Sequence, residues 1–152
     1  SVGEPEEEMF RAVEHSEPFL PPEKPRYAMG LGTPPQMLEM IARGVDMFDC
    51  VLPTRNARNA NAFTPNGQMR LRNAQFADDP RPIVEGCDCA CCARGYSRSY
   101  LRHMFMAKEM LGPILVTLHN LRHFQRFLLD IRTAIRDNNW SFVTERWPVA
   151  CL

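Results

Sequence analysis

The early part of the chain alternates between apolar and helix-forming segments, a pattern that predicts a strand, a helix and a second strand. Arg26–Leu31 is a short apolar run that ends in a Gly-x-Gly turn, and Val45–Leu52 is a second, mostly apolar run. Between them, Thr33 is suited to cap a helix over Pro34–Arg43, which Gly44 would end. This order is that of a βαβ unit, so we expect an α/β fold in which the two strands pair in parallel.

The segments on either side of this unit carry different patterns. Residues 4–16 predict a surface helix, because acids fill the first turn and apolar residues follow at helical spacing. Thr54–Ala62 is polar and rich in Asn and Arg, which predicts a loop. Phe63–Arg72 carries Pro-Asn-Gly between alternating runs, which is typical of a β-hairpin. From Ser97 onward, periodic apolar positions predict one or two closing helices.

The composition is that of a globular protein outside the membrane. Hydrophobic residues make up 45% of the chain and charged residues 24%, which are ordinary values for a folded domain. No apolar run approaches the roughly 20 residues that span a bilayer, and no signal-peptide pattern is visible. We therefore expect a cytoplasmic protein that makes no membrane contact.

The net charge of zero hides an asymmetry along the chain. Residues 1–50 hold 10 acids and 4 bases, a balance of −6, whereas residues 51–152 hold 14 bases and 8 acids, a balance of +6. Nearly all of the bases are arginine, whose planar guanidinium suits phosphates and base edges. The later part of the chain is consistent with RNA binding, although a general preference for arginine in the genome explains the same composition.

Four of the six cysteines lie in the run Cys87-Asp-Cys-Ala-Cys-Cys92, which predicts a metal site. Cys87, Cys89 and Cys92 have a C-x-C-x-x-C spacing that can wrap a tetrahedral ion such as Zn²⁺, and a fourth protein ligand would make the site structural. The candidates for that ligand are Cys91, His103, His119 and His123. Of these, His119 lies on the long closing helix and could pin that helix to the loop.

Asp49 lies near the carboxyl end of the second predicted strand, where parallel α/β sheets place their chemistry. Its apolar neighbours lead us to expect a partly desolvated carboxylate, which would be a stronger nucleophile or base. The alternative is a scaffold role in which Asp49 pairs with Arg55 or Arg58. These arginines and the nearby asparagines could also hold phosphates and the edges of splayed RNA bases.

Several motifs, in order along the chain, resemble those of one enzyme family. The run Gly44-Val-Asp-Met-Phe-Asp-Cys-Val-Leu-Pro-Thr-Arg55, followed by Asn-Ala-Arg-Asn59, resembles the signature of bacterial tRNA-guanine transglycosylases, also called queuine tRNA-ribosyltransferases. Further matches are Val2-Gly3-Glu4, the run from Lys24 to Gly32, the cysteine cluster and Leu118-His-Asn120.

The resemblance implies a fold and an activity. The fold would be the C-terminal part of a (β/α)8 TIM barrel, whose last strands and helices occupy residues 1–75, with a zinc-binding subdomain in residues 76–152. The activity would be that of a pentosyltransferase in queuosine biosynthesis, which exchanges the wobble guanine in the tRNA anticodon loop for a 7-deazaguanine. The general acid/base of such enzymes lies in an earlier part of the barrel, so this chain would be an incomplete enzyme. We also expect a homodimer.

The resemblance also implies roles for individual residues. Asp49 would be the nucleophile that forms a covalent aspartyl-ribosyl RNA intermediate. Glu4, Met29 and Gly30 would bind the base. Arg55 and Arg58 would contact the anticodon nucleotides. The structural zinc ion would be held by Cys87, Cys89, Cys92 and His119.

Two other functions would fit parts of the pattern. The chain could belong to a non-catalytic subunit of the same family, although such a subunit would lack the nucleophile. It could also be a zinc-stabilised RNA-binding module. The presence of Asp49, Arg55 and Arg58 favours the enzyme.

Overall fold

The computed structural model describes residues 5–151 of the chain, which form two compact units. The first unit runs to Leu52 and includes Ala150, and the second unit is Pro53–Val149. The division predicted between residues 75 and 76 concerns the barrel and its subdomain, and it stays a prediction. None of the helices in residues 5–151 is long and apolar enough to cross a lipid bilayer.

The first unit contains the predicted strand-helix-strand arrangement. Its elements are α1 (Glu6–Ser16), β1 (Tyr27–Ala28), α2 (Pro34–Ala42) and β2 (Met47–Phe48). The two strands pair in parallel, with Tyr27 opposite Met47 and Ala28 opposite Phe48, as the sequence predicted. Each strand is shorter than its apolar run, because only these residues face a partner strand within the unit.

Local sequence explains where α2 begins and ends. The Thr33 hydroxyl accepts a hydrogen bond from the backbone N–H of Gln36, and the Gln36 side chain accepts one from the N–H of Thr33, which completes a capping box. Pro34 stands in the first turn, where no N–H is needed. Gly44 has a φ of +85°, a left-handed conformation that glycine adopts easily after a helix.

Helix α1 covers the parallel strands with its apolar side. Met9, Leu31, Met40 and Val45 are buried together, and Val13 is half-buried beside them. Apolar residues of α1, α2 and the strand segments thus share one small core, which holds β1 and β2 together.

A helix that the sequence did not predict lies, except for its first residue, at the start of the second unit. Residues expected to form a loop instead form most of α3 (Leu52–Arg58). Ala57 on this helix is fully buried in the core of the unit, so tertiary packing stabilises a segment whose polar composition suggested a loop. Ala60, with a φ of +62°, follows the helix and turns the chain into the next strand.

The predicted hairpin and closing helices are present in the second unit. The hairpin consists of β3 (Asn61–Thr64) and β4 (Gly67–Arg70), which pair antiparallel. The helices are α4 (Arg98–Met106), α5 (Leu111–Asp137) and α6 (Ser141–Arg146). The cysteine cluster lies in the irregular segment between β4 and α4, and its fixed position depends on packing against α5.

Candidate metal centre and strand-end carboxylate

The cysteine cluster and α5 bring four metal-binding groups together. The Sγ atoms of Cys87, Cys89 and Cys92 lie 3.8, 3.5 and 3.4 Å from Nδ1 of His119, and all four ligand atoms lie within 4.8 Å of one another. These are the four residues that the sequence and the family resemblance predicted. The spacing between the atoms allows one ion to contact all of them.

The environment of the His119 ring suits a metal ligand. Its Nε2 lies 2.8 Å from the carbonyl oxygen of Phe63 on β3, so Nε2 carries the hydrogen and donates it. The lone pair of a neutral ring then lies on Nδ1, which faces the three sulfur atoms. A metal-binding histidine is usually fixed in this way, by a hydrogen bond at its other nitrogen.

The other candidates for the fourth ligand lie in different environments. Cys91 is fully buried within the apolar core of the second unit. His123 is buried edge-on against Trp147, and burial lowers its pKa to about 4, which keeps the ring neutral. His103 is exposed on α4. Only His119 joins the three thiols.

The three thiols lie so close together that their arrangement favours the binding of a cation. Hydrogen bonds from Cys89 and Cys92 lower the pKa of the Cys87 thiol, and the bond to Cys87 raises the pKa of Cys89 and of Cys92. One thiolate is thus stabilised at the expense of the other two. A divalent cation can replace the remaining protons, and three thiolates with one imidazole are a donor set typical of Zn²⁺.

An ion pair fixes the cysteine loop to α5. Asp88, between Cys87 and Cys89, accepts hydrogen bonds from Nε and Nη2 of Arg122, at 2.8 and 2.5 Å. This bidentate contact lowers the pKa of Asp88 to about 2. Arg122 lies one helical turn after His119, so the ion pair and the histidine hold the same part of the loop.

In the first unit, Asp49 follows directly after β2, at the carboxyl end of the parallel pair. Its Oδ1 accepts a hydrogen bond from the backbone N–H of Gly30 at 3.0 Å and one from the hydroxyl of Tyr27 at 2.8 Å. The bonds to Gly30 and Tyr27 lower the pKa of Asp49 below its usual value. The carboxylate is therefore ionised at neutral pH and held in one orientation.

The expectation that Asp49 would be partly desolvated is wrong. The side chain is exposed in the first unit, and its apolar neighbours Met47 and Val51 are themselves 44% and 52% exposed. They therefore do not shield the carboxylate from solvent. Hydrogen bonding, not burial, sets its ionisation.

Two predicted base-binding residues lie beside Asp49. Met29 follows directly after β1, and its side chain is 70% exposed. Gly30 has a φ of +74° and directs its N–H to the carboxylate of Asp49. The carboxyl ends of two parallel strands therefore present an apolar side chain and an ionised acid together. Glu4, the third predicted base-binding residue, lies outside the described residues.

The two predicted RNA-binding arginines lie on α3 in the second unit. Arg55 and Arg58 are three positions apart, so they share one face of the helix, and both are exposed. Among the described residues, neither guanidinium forms an ion pair with a carboxylate. Both are thus available to an anionic ligand.

Comparison with known proteins identifies the family. The model of the queuine tRNA-ribosyltransferase family matches residues 1–149. The chain belongs to this family.

Relatives that carry the same name come from several bacteria. Queuine tRNA-ribosyltransferases of Stenotrophomonas maltophilia (strain R551-3), Granulibacter bethesdensis and Staphylococcus aureus (strain JH9) are 50%, 53% and 51% identical over 155, 137 and 138 residues. The alignments cover 99%, 90% and 91% of this chain but 41%, 36% and 36% of the relatives. The chain thus spans about two fifths of the length of these queuine tRNA-ribosyltransferases.

Two residues at these sites were not assigned a role from the sequence. Tyr27 donates a hydrogen bond to Asp49. These residues are far apart in the chain, and only the predicted parallel pairing of their strands could have indicated that they lie close together. Asn120 follows His119 and is completely buried, with hydrogen bonds to three backbone groups. Its position next to His119, a predicted ligand, was the one feature of the sequence that could have suggested a role for Asn120.

Proposed function

We propose that this chain supplies the nucleophile, part of the base pocket, RNA contacts and a zinc site to a tRNA-guanine transglycosylase. The enzyme exchanges the wobble guanine of the anticodon for a 7-deazaguanine in queuosine biosynthesis. The observation that carries the proposal is the carboxylate of Asp49, which is ionised, exposed and oriented by Tyr27 and Gly30 at the ends of two parallel strands. The family match supports the substrate class.

Asp49 acts as the nucleophile in a double displacement. Both hydrogen bonds from Tyr27 and Gly30 fall on Oδ1, so Oδ2 is the oxygen that attacks C1′ of the ribose. The new O–C1′ bond forms as the C1′–N9 bond breaks, and guanine leaves with the electron pair and takes up a proton from the general acid that another part of the barrel supplies. The same group, now a base, accepts the N9 proton of the deazaguanine, which attacks C1′ and releases the carboxylate. Two inversions give net retention, as in retaining glycosidases.

Residues at the strand ends hold the base. The exposed side chain of Met29 packs on the face of the purine or deazapurine ring, since a flexible thioether fits flat apolar surfaces well. The backbone at Gly30 lies beside the ring because glycine permits a close approach. Glu4 contributes a carboxylate to recognition of the base.

The arginines of α3 bind the anticodon loop. Arg55 and Arg58 contact phosphates and base edges of the unpaired nucleotides, a common mode of recognition for single-stranded RNA. Their exposure and shared helix face support this role. The excess of bases in residues 51–152 would add long-range attraction for the tRNA.

The Cys87, Cys89, Cys92 and His119 group holds a structural zinc ion. Four protein ligands leave no open position for water or substrate, so the ion takes no part in the exchange reaction. It ties an irregular segment to α5. Its contribution is to the stability of the second unit.

The rest of the enzyme completes the site. Residues 1–75 supply the last strands and helices of a (β/α)8 barrel, and residues 76–152 form the zinc-binding subdomain. The general acid/base comes from another part of the barrel, so the isolated chain is an incomplete enzyme. The complete enzyme works in the cytoplasm as a homodimer.

Denaturing gel electrophoresis tests the proposal. The complete protein is mixed with cognate tRNA and a deazaguanine, and the products are separated under denaturing conditions. We expect a tRNA-linked protein band that Asp49→Asn abolishes and Asp46→Asn retains, since Asp46 binds the backbone N–H of Arg26 instead. Equal bands in the wild type and Asp49→Asn would remove Asp49 from the nucleophile role. Tight tRNA binding with no linked band in any variant would favour the RNA-binding module or the non-catalytic subunit.

A further inference from the structure

Asn120 makes three hydrogen bonds although its side chain is completely buried. Its Oδ1 accepts from the backbone N–H of Phe63 at 2.9 Å. Its Nδ2 donates to the carbonyl oxygens of Pro53 and Asn61, at 2.9 and 3.0 Å. All three partners are backbone groups outside α5. The side chain therefore fixes the path of the main chain around it.

Asn120 and the metal-binding histidine share one of these partners. Nε2 of His119 donates to the carbonyl oxygen of Phe63, while Oδ1 of Asn120 accepts from the N–H of the same residue. In an extended strand, the N–H and C=O of one residue point to the same side, so two consecutive residues of α5 hold both groups. Since the Phe63 carbonyl orients the His119 ring, the residue that fixes Phe63 also fixes the ligand.

The other two bonds of Asn120 fall at the two ends of the segment that carries the arginines. Pro53 lies in the first turn of α3, and Asn61 is the first residue of β3, after the helix has ended. A helix of seven residues is too short to be stable alone and needs tertiary contacts. Buried Ala57 provides one such contact, and the amide of Asn120 provides another.

We propose that Asn120 is a positioning residue that links the metal centre to the arginine-bearing helix α3. Through Phe63 it sets the orientation of His119, and through Pro53 and Asn61 it holds both ends of the helix segment. The inference rests on the proposed zinc site. The inference goes beyond that site by assigning Asn120, the residue after a proposed zinc ligand, a role in holding the segment that carries Arg55 and Arg58.

Two substitutions and a control separate the parts of this role. Asn120→Ala removes all three bonds, whereas Asn120→Asp keeps an oxygen for the N–H of Phe63 and loses the amide donors. Gln125→Ala changes an exposed amide on the same helix and serves as the matched control. Zinc affinity is measured by competition with a chromophoric chelator. Amide hydrogen exchange in α3 and α6 is measured on the zinc-loaded proteins.

The linking role predicts a specific pattern. We expect Asn120→Ala to weaken zinc binding about 10-fold and to speed exchange in α3 about 10-fold, with exchange in α6 unchanged. Asn120→Asp should also speed exchange in α3. Its zinc affinity should be closer to that of the wild type than the zinc affinity of Asn120→Ala is. Gln125→Ala should match the wild type in every measurement.

Other outcomes overturn the inference in distinguishable ways. A wild-type protein that binds no zinc removes the metal site, and this inference with it. If the wild type binds one zinc and Asn120→Ala keeps wild-type affinity or wild-type exchange in α3, the metal site stands and the linking role fails. Equal acceleration of exchange in α3 and α6 would show a general loss of stability, which also contradicts the linking role.

Discussion

The hydroxyl of Tyr27 lies 2.8 Å from Oδ1 of Asp49, which joins the start of one parallel strand to the residue that follows the other. The N–H of Gly30 reaches the same oxygen at 3.0 Å. Two donors on one oxygen orient the carboxylate and favour its ionised form without burial. The strand pairing thus places both hydrogen bonds on Oδ1, and Oδ2 is the oxygen that we propose as the nucleophile.

We expect Tyr27→Phe to slow formation of the tRNA adduct about 2- to 10-fold, the usual net effect of one lost hydrogen bond. The hydroxyl lowers the pKa of Asp49, so its removal raises that pKa. The ionised fraction then falls sooner as the pH falls, and the acidic limb of the pH–rate profile moves to higher pH. Single-turnover rates across the acidic range measure both effects.

The control for this substitution is Tyr100→Phe, which removes the hydroxyl of an exposed tyrosine on α4. It should leave the rate and the profile unchanged. An acidic limb that stays in place in Tyr27→Phe would show that the hydroxyl does not act on the ionisation of Asp49.

Cys89→Ser should abolish stoichiometric zinc binding, because a serine hydroxyl does not replace a thiolate in a site of this kind. The matched control is Cys91→Ala, which alters a buried cysteine of the same cluster that packs in the apolar core. We expect that variant to keep one zinc per chain and to lose about 1 kcal/mol of stability. Elemental analysis of the purified proteins measures the zinc content of each variant. Undiminished zinc in Cys89→Ser would rule out the proposed ligand set.

Gly32→Ala should destabilise the first unit by about 1–3 kcal/mol. A Cβ at this position would overlap Sγ of Cys50 and lie 2.6 Å from its Cβ. The double variant Gly32→Ala, Cys50→Gly removes both obstructing atoms and should recover much of the loss. Denaturant unfolding of the wild type, Gly32→Ala, Cys50→Gly and the double variant measures the effect. A double variant as unstable as the sum of its single changes would contradict a clash at this contact.

Arg58→Ala should weaken tRNA binding and lower the salt dependence of the binding constant. Loss of one phosphate contact to a single strand reduces the slope of log K against log salt by about 0.7. Arg11→Ala, which changes an exposed arginine on α1, is the control. Titrations at several salt concentrations give the slopes. An unchanged slope in Arg58→Ala would show that Arg58 makes no phosphate contact with the RNA.

Features that are determined by residues close together in the sequence could be predicted well. Thr33 caps α2, and the Pro-Asn-Gly turn closes the hairpin of β3 and β4. The grouping of the Cys87, Cys89 and Cys92 thiols followed from their spacing. The choice of His119 needed either the family resemblance or the fold, because four candidates satisfied the same chemistry.

Features that depend on distant contacts could not be predicted from the sequence. Helix α3 is polar, and it is held by the burial of Ala57 and by bonds from Asn120, neither of which leaves a periodic pattern. The lengths of β1 and β2 depend on which residues face a partner strand. The exposure of Asp49 was wrongly predicted because residues adjacent in sequence, such as Met47, do not shield its side chain.

The central claim is that Asp49 forms a covalent bond to the ribose of tRNA. The direct test is to quench the complete protein with its tRNA in denaturant, digest the complex with nuclease and protease, and locate the adduct by mass spectrometry. We predict a ribose-linked nucleotide on the carboxylate of Asp49 and on no other residue. An adduct on a different carboxylate, such as Asp46, or no adduct under conditions of active base exchange, would contradict the account.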